Sequence, residues 1–348
     1  MTQPTSHIRR IATAGAFGAG SLTAAGAALT GLIVGQAMLA RRVIPIAEAP
    51  PPRGDGRYGA EHDGDPVTLV VLGDSTAAGY GADSARNTPG ALLAAGLAEQ
   101  LRRPVSLRCL AVVGAESRSL DPQVERALEI GPDLAVILVG GNDVTHRRPV
   151  SEAIDHLVAA VRSLRQAGTD VVVGTCPDLG TIQPIQPPLR WLARRWSRQL
   201  AAAQTVAVVE AGGRTVSLAD LLSPAFTAEP DRMFAWDRFH PSGDGYGVAA
   251  AALLPTMVAA LTDEDRDRQT GSRLRRGEGV RSLADAAVEA VGHAGTEVSA
   301  ARVDGHDHGP AGAWAQLRRR VWRRTEHPTD PSHVRLQQEQ QAAPWSGT

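Results

Sequence analysis

The stretch "LVVLGDSTAAGYG" at residues 69–81 begins as a strand and does not end as one. Its near-continuous apolar opening suits a strand buried on both faces, and Gly73-Asp74-Ser75 followed by small residues suits a sharp turn into a helix. Ser75 therefore falls just beyond the carboxyl end of a strand. Runs of the same kind recur downstream as "VSLRCLAVV" (105–113), "LAVILV" (134–139), "VVVGT" (171–175) and "VAVV" (206–209). Helical patterns separate them: residues 92–101, a short helix with Asp121 as cap and Pro122 in its first turn, and a helix ending at Gly168 with Ile154, Leu157, Val158, Val161 and Leu164 on one face. This alternation predicts an α/β domain with a parallel sheet covered on both faces.

Composition narrows the chemistry. The chain has 348 residues, 43% of them hydrophobic and 21% charged, enough apolar material for a well-buried core. A formal net charge of −1 gives no reason to expect nucleic-acid binding through phosphate neutralisation. Every basic residue in the Lys+Arg total is arginine, so neither a Schiff-base lysine nor a P-loop lysine is present. Cys109 and Cys176 have no metal-ligand spacing and read as free core thiols.

Residues 11–40 carry no charge and are flanked by Arg9-Arg10 and Arg41-Arg42. As a helix the run would measure about 45 Å against a bilayer core of roughly 30 Å. Residues 1–44 are therefore expected to form a single N-terminal membrane span, with secretion after signal cleavage as the alternative. Arginines on both sides leave the face of the membrane open. Residues 45–66, rich in proline and glycine, read as a linker. The folded α/β domain, which carries the candidate catalytic residues taken up next, is expected at 67–262, with no second span, and residues 263–348 as a polar, Arg-rich disordered tail. Within that tail "GAWAQLRRRVWRRTE" has the pattern of a membrane-surface helix, although a solvated tail reads equally from it. His306 and His308 read as chance in a biased segment.

Ser75, Gly114 in "AVVGAES" and Asn142 in "ILVGGNDV" each follow one of the first three strands. In an open α/β sheet, residues so placed converge outside the carboxyl ends of the strands. "DRFH" adds Asp237 and His240 before the last helix. A serine hydroxyl needs an imidazole to take its proton, and the imidazole needs a carboxylate to set its tautomer. Ser75, His240 and Asp237 suit these roles as catalytic residues. The backbone N–H groups of Ser75 and Gly114 and the side-chain amide of Asn142 could form an oxyanion hole. Asp74 and Asp143 read as loop-holding residues. Trp191 and Trp196 suit either an entrance lining or a packing helix, and "TIQPIQPP" (181–188) a lid.

The four blocks, "GDS" at 73–75, Gly114, "GGND" at 140–143 and "DRFH" at 237–240, resemble those of the SGNH hydrolases, the GDSL-type esterases and lipases. The resemblance covers residues 67–262 and implies a three-layer α/β/α sandwich with sheet order 2-1-3-4-5. It also implies ester hydrolysis through a serine nucleophile, without metal or cofactor, on small-molecule, carbohydrate or lipid acyl esters. The first block departs from the family's habit in having Thr76 where leucine often follows the serine. A non-catalytic α/β binding module that keeps the fold is the competing reading. A phosphate binder fits poorly, because "GDSTAAGYG" lacks both lysine and the G-x-G-x-x-G spacing.

Overall fold

A computed structural model describes residues 29–40, 42, 49–270 and 297–298. These all fall in the first of two units, Met1–His306; the second, Asp307–Thr348, lies outside them. So do most of the N-terminal apolar run, the arginine-rich tail helix and the His306–His308 pair.

In chain order the elements are helix α1 (Leu29–Ala40), strand β1 (Gly56–Tyr58), β2 (Val67–Gly73), α2 (Ser75–Ala78), α3 (Pro89–Leu101) and β3 (Val105–Cys109). Next come α4 (Asp121–Ile130), β4 (Leu134–Leu138), α5 (Gly141–Thr145), α6 (Val150–Gln166) and β5 (Asp170–Gly174). Then follow α7 (Leu189–Glu210), β6 (Arg214–Val216), α8 (Leu218–Ala228), α9 (Pro230–Met233), α10 (Gly243–Thr270) and β7 (Glu297–Val298).

The sheet order is β1-β3-β2-β4-β5-β6-β7. From β3 to β6 all pairings are parallel, which is the expected 2-1-3-4-5 arrangement, and β1 and β7 close the edges antiparallel. Alternation along each strand divides the core. Val70 and Leu72 of β2, with Ala135 and Ile137 of β4, pack under α4, α6 and α7 through Val124, Leu157, Val161 and Val208. On the opposite face α3 meets the sheet closely enough that a Cβ on Gly90 would lie 3.2 Å from Leu107 and 3.6 Å from Val71. Helices α8 and α10 complete that layer, giving a three-layer sandwich.

The pairing also aligns the strand ends. Gly73 stands opposite Leu138, Leu138 opposite Gly174, and Gly174 opposite Val216, so the loops after β2, β4, β5 and β6 leave from one edge. That edge carries the site.

Several sequence expectations are corrected. "VAVV" is the last turn of α7, not a strand: it continues a helix-favouring Ala/Gln run, with Val208 and Val209 turned into the core, and the strand comes only after Gly212 and Gly213. The strand in "VSLRCLAVV" stops at Cys109, and Val112 and Val113 are exposed. Asp121 occupies the first turn of α4, whose cap position is Leu120. The stretch read as a linker supplies β1, and Asp55 Oδ1 accepts a 2.6 Å hydrogen bond from Cys109 N. The stretch read as a disordered tail supplies the end of α10 and β7.

Among the described residues, Gly243–Thr262 is long and apolar enough to cross a membrane, contrary to the expectation of no second such segment. More than half of it is buried inside the fold, as in a core helix. Helix α1 presents Leu29, Leu32, Met38 and Leu39 to solvent, while Gln36 bonds the backbone of Pro187 and Leu189 at the start of α7 (2.8 and 3.2 Å).

Candidate active site

Glycine at position 73 is a steric requirement. Its φ is +133°, and a Cβ there would lie 1.8 Å from Leu138 O. This close approach of β2 to β4 ends the strand and turns the chain into α2. Asp74 caps that helix, its Oδ1 accepting from Thr76 N at 2.8 Å, and Gly79 closes it in the left-handed conformation. Ser75 thus starts a short helix at the strand edge and is 8% exposed. Burial pushes the Asp74 carboxyl up to about 6, against the lowering effects of its Thr76 hydrogen bonds and of His240.

The loop carrying "DRFH" folds around Asp237. Its Oδ1 accepts from the N–H groups of Phe239 and His240, each at 2.9 Å, and Oδ2 lies 2.6 Å from His240 Nδ1. Nε2 of the same imidazole is 2.9 Å from Ser75 Oγ. Burial pushes the Asp237 carboxyl up, but the hydrogen bonds from His240 and from the two backbone N–H groups outweigh it and hold it below the usual carboxylate range. The imidazole packs against Tyr80 and Phe239, with ring centroids 4.4 and 4.9 Å away. Tyr246 of α10 fixes this corner by donating to Tyr80 O at 2.6 Å.

Asn142 sits in α5, after a Gly140 with φ +134°. Its Nδ2 donates to Ala115 O at 2.9 Å, and it lines the same cavity as Ser75 and His240. Gly114, immediately before Ala115, has φ +82° in a turn closed by Ala115 N to Val112 O. A Cβ on Gly114 would touch nothing within 4 Å, so the glycine serves the turn's conformation; it is not among the residues lining the cavity. Asp143 accepts from Ser117 N (3.1 Å) and Ser117 Oγ (2.9 Å), tying α5 to the same loop.

The structure thus brings Ser75, His240 and Asp237 into one hydrogen-bonded chain, with Asn142 on the wall beside them and Gly114 joined through Ala115. Trp191 is exposed, and Trp196 stacks under Arg147 (5.1 Å) in a separate depression, so neither lines the cavity. Thr181 and Ile182, from the stretch read as a lid, do line it. Both cysteines are free thiols, Cys176 buried and Cys109 partly so. Glu61, His62 and Glu99, the one grouping with metal-ligand reach found among the described residues, stands at the far end of α3 from the cavity.

Sequence reasoning missed three supporting residues. Gln123 of α4 is buried and bonds Gly73 on both sides, accepting from its N at 2.8 Å and donating to its O at 3.0 Å. Gln204 of α7 likewise accepts from Cys176 N (2.7 Å) and donates to Val139 O (3.0 Å), joining the loops after β4 and β5. Glu116 is buried between Arg118, Arg148 and the His146 ring at 2.7 to 2.9 Å. Burial raises its carboxyl, but those partners outweigh it and hold the value down. The signal available in the sequence was a glutamine at an apolar-face position in each of two helices.

A sequence model described as the GDSL-like lipase/acylhydrolase family matches residues 71–248. A GDSL-like esterase of Mycobacterium tuberculosis is 45% identical over 262 residues, 71% of this chain and 83% of that protein. Among solved structures, the lipase/acylhydrolase from Enterococcus faecalis is 21% identical over 56% of this chain and 96% of its own, with a TM-score of 0.45. An acetylxylan esterase from Geobacillus stearothermophilus is 21% identical over 56% of this chain and 95% of its own, with a TM-score of 0.41.

Proposed function

Since the chain belongs to the GDSL-like lipase/acylhydrolase family and is an ester hydrolase, we propose that it cleaves carboxylic esters through an acyl-enzyme on Ser75. The observation that carries this reading is the unbroken chain Ser75 Oγ–His240–Asp237, at 2.9 and 2.6 Å. With Asp237 ionised, its Oδ2 accepts a hydrogen bond from Nδ1–H, which keeps the imidazole proton on Nδ1 and leaves the Nε2 lone pair facing the hydroxyl. Nε2 takes the Ser75 proton as Oγ bonds to the ester carbon. The resulting imidazolium returns that proton to the leaving alkoxide as the ester C–O bond breaks. Water, deprotonated by the same nitrogen, attacks the acyl-enzyme and releases the acid. The Ser75 N–H and the Asn142 amide, both on the cavity wall, are the donors for the oxyanion, whereas the Gly114 N–H expected to join them belongs to a residue that does not line the cavity; one amide N–H bonds Ala115 O, and the other remains for substrate.

A fluorophosphonate should add its phosphonyl mass to the peptide containing Ser75, with loss of esterase activity in step. Modification elsewhere at equal rate, with Ser75 unmodified, would defeat the assignment and favour a binding module.

Asn142→Ala should lower kcat on a short acyl ester by about 10²- to 10³-fold with little change in KM, because an oxyanion donor acts mainly as charge develops. The lost bond to Ala115 O should also cost about 1 kcal/mol of stability. A melt and a kinetic titration on the same sample separate the two effects; a lower melting temperature with normal kcat would leave Asn142 only a structural role.

We also propose that the N-terminal segment holds the enzyme at a membrane, a reading supported by the exposed Leu29, Leu32, Met38 and Leu39 of α1 and the uncharged run before it. The catalytic domain then extends from about residue 55, where Asp55 and β1 join the sheet edge, rather than from residue 67.

A further inference from the structure

We propose that Glu61, His62 and Glu99 bind one divalent cation of the zinc class, which clamps the turn between β1 and β2 onto the C-terminal end of α3. The starting point is a buried nitrogen. The His62 side chain is 5% exposed, and its Nε2, shielded from solvent, has no hydrogen-bond partner among the described residues. It faces Glu61 Oε1 and Glu99 Oε1, each 3.8 Å away. That separation is too long for a hydrogen bond and suits ligands that share an ion between them. Buried polar atoms are ordinarily satisfied, so one aimed at two carboxylates and bonded to neither points to a ligand held by all three.

The backbone puts the imidazole there. His62 N donates to Gly59 O at 3.0 Å, closing a turn in which Gly59 has φ +64°. The turn lies tight against α3: a Cβ on Gly59 would stand 2.6 Å from Ala98 Cβ and 3.0 Å from His62 Cδ2. The ring is thus wedged in place, whereas Glu61 and Glu99 remain at the surface, where their side chains can close on an ion. One ligand atom from each of the three residues lies within 4.8 Å of the others. A point equidistant from atoms 3.8 to 4.8 Å apart stands about 2.2 to 2.8 Å from each, and rotation of the two glutamates shortens this to the roughly 2.0 to 2.2 Å of zinc bonds.

Charge favours a cation at this position. Glu99 stands in the last turn of α3, where the helix dipole is negative and no basic residue answers it. Arg102, at the helix end, is exposed and lies 3.9 Å from Glu99 Oε2, which leaves Oε1 to face His62. An imidazole beside two carboxylates selects zinc-class ions over Mg²⁺ and Ca²⁺, which prefer oxygen throughout. Ligation by the Nε2 lone pair keeps the ring proton on Nδ1. The ion takes no part in ester cleavage. Pro89 and Leu93 of α3 line the cavity, and Glu99 is ten residues beyond Pro89, about 15 Å along the helix.

The competing occupant is a proton, since an imidazolium shared by the two glutamates needs no metal. To separate them, purified full-length protein without a polyhistidine tag is stripped with EDTA, titrated with ZnCl₂ by calorimetry, and melted with and without the ion. Wild type should bind zinc and gain about 5 to 10 °C in Tm when free zinc is about 100 times Kd. His62→Gln and Glu99→Gln should each weaken zinc binding by at least about tenfold and lose most of that gain. Melts in EDTA show whether each variant is folded, and Glu61→Gln, a change at the surface, repeats the test if His62→Gln is not. Mg²⁺ should give no comparable gain, and esterase activity should survive EDTA. A wild type that neither binds zinc nor gains stability from it overturns the proposal in favour of the shared proton. Zinc binding undiminished in the folded variants places the ion elsewhere on the chain, and an equal response to Mg²⁺ removes the imidazole as a ligand; either result overturns it too. Loss of esterase activity in EDTA would overturn the purely structural role.

Discussion

Ser75→Ala should lower kcat on a short acyl ester by about 10⁴- to 10⁶-fold, the range in which loss of a triad nucleophile leaves only binding and oxyanion stabilisation. The variant should fold normally. Helix α2 is capped by Asp74, not by Ser75, and the strand-to-helix turn is held by Gly73 and by the two Gln123 hydrogen bonds. The serine hydroxyl makes its recorded bond to His240 Nε2, and that nitrogen opens on the cavity, where water can replace the lost partner. A melting temperature within a few degrees of wild type, together with the loss of kcat, is the expected pair of results. A kcat within tenfold of wild type would mean that the ester bond is broken without Ser75.

Asp237→Asn should reduce kcat by about 10⁴-fold, with the loop geometry intact. The amide oxygen can still accept from Phe239 N and His240 N, which hold the turn. Its nitrogen, however, would face His240 Nδ1 in place of Oδ2 and donate to it. The imidazole would then carry its proton on Nε2 and could no longer take one from Ser75. Stability should respond to pH in a defined sense. The folded-state value of Asp237 is depressed below its unfolded value of about 3.9, so the ionised carboxylate stabilises the fold above that pH and loses this contribution as pH falls through the folded value. The melting-temperature gap between wild type and Asp237→Asn should therefore narrow below about pH 4. A kcat loss of less than about 10² would show that His240 is oriented by something other than this carboxylate.

The sites of these predictions were legible before any coordinates because their constraints are local. Gly73 ends an apolar strand, and Asp237 and His240 lie three residues apart, close enough for one turn to pair them. The misread elements share a cause. "VAVV" has strand composition, but a helix already running for several turns continues more readily than a new element starts, and Val208 finds its core contact from the helix. β1 and β7 are three and two residues long, too short to show an alternation, and exist through pairing with β3 and β6.

By itself, then, the sequence determined the parallel α/β sheet and pointed to Ser75, Asp237 and His240, the residues that the structure joins in one hydrogen-bonded chain, because apolar runs, glycine turns and residue chemistry act within a few positions of the chain. Only the tertiary structure decided what surrounds them. Gln123 meets Gly73, and Gln204 meets Cys176 and Val139, across separations of 28 to 65 residues, and nothing in the local pattern of a helix says which backbone group its buried amide will find. Gly114 is tied to the site through Asn142 and Ala115, 27 residues apart. The cavity beside Ser75 has no motif at all, since it is the space left when the side chains of α8, α10 and the strand ends pack against one another, and its shape belongs to that packing rather than to any one of them.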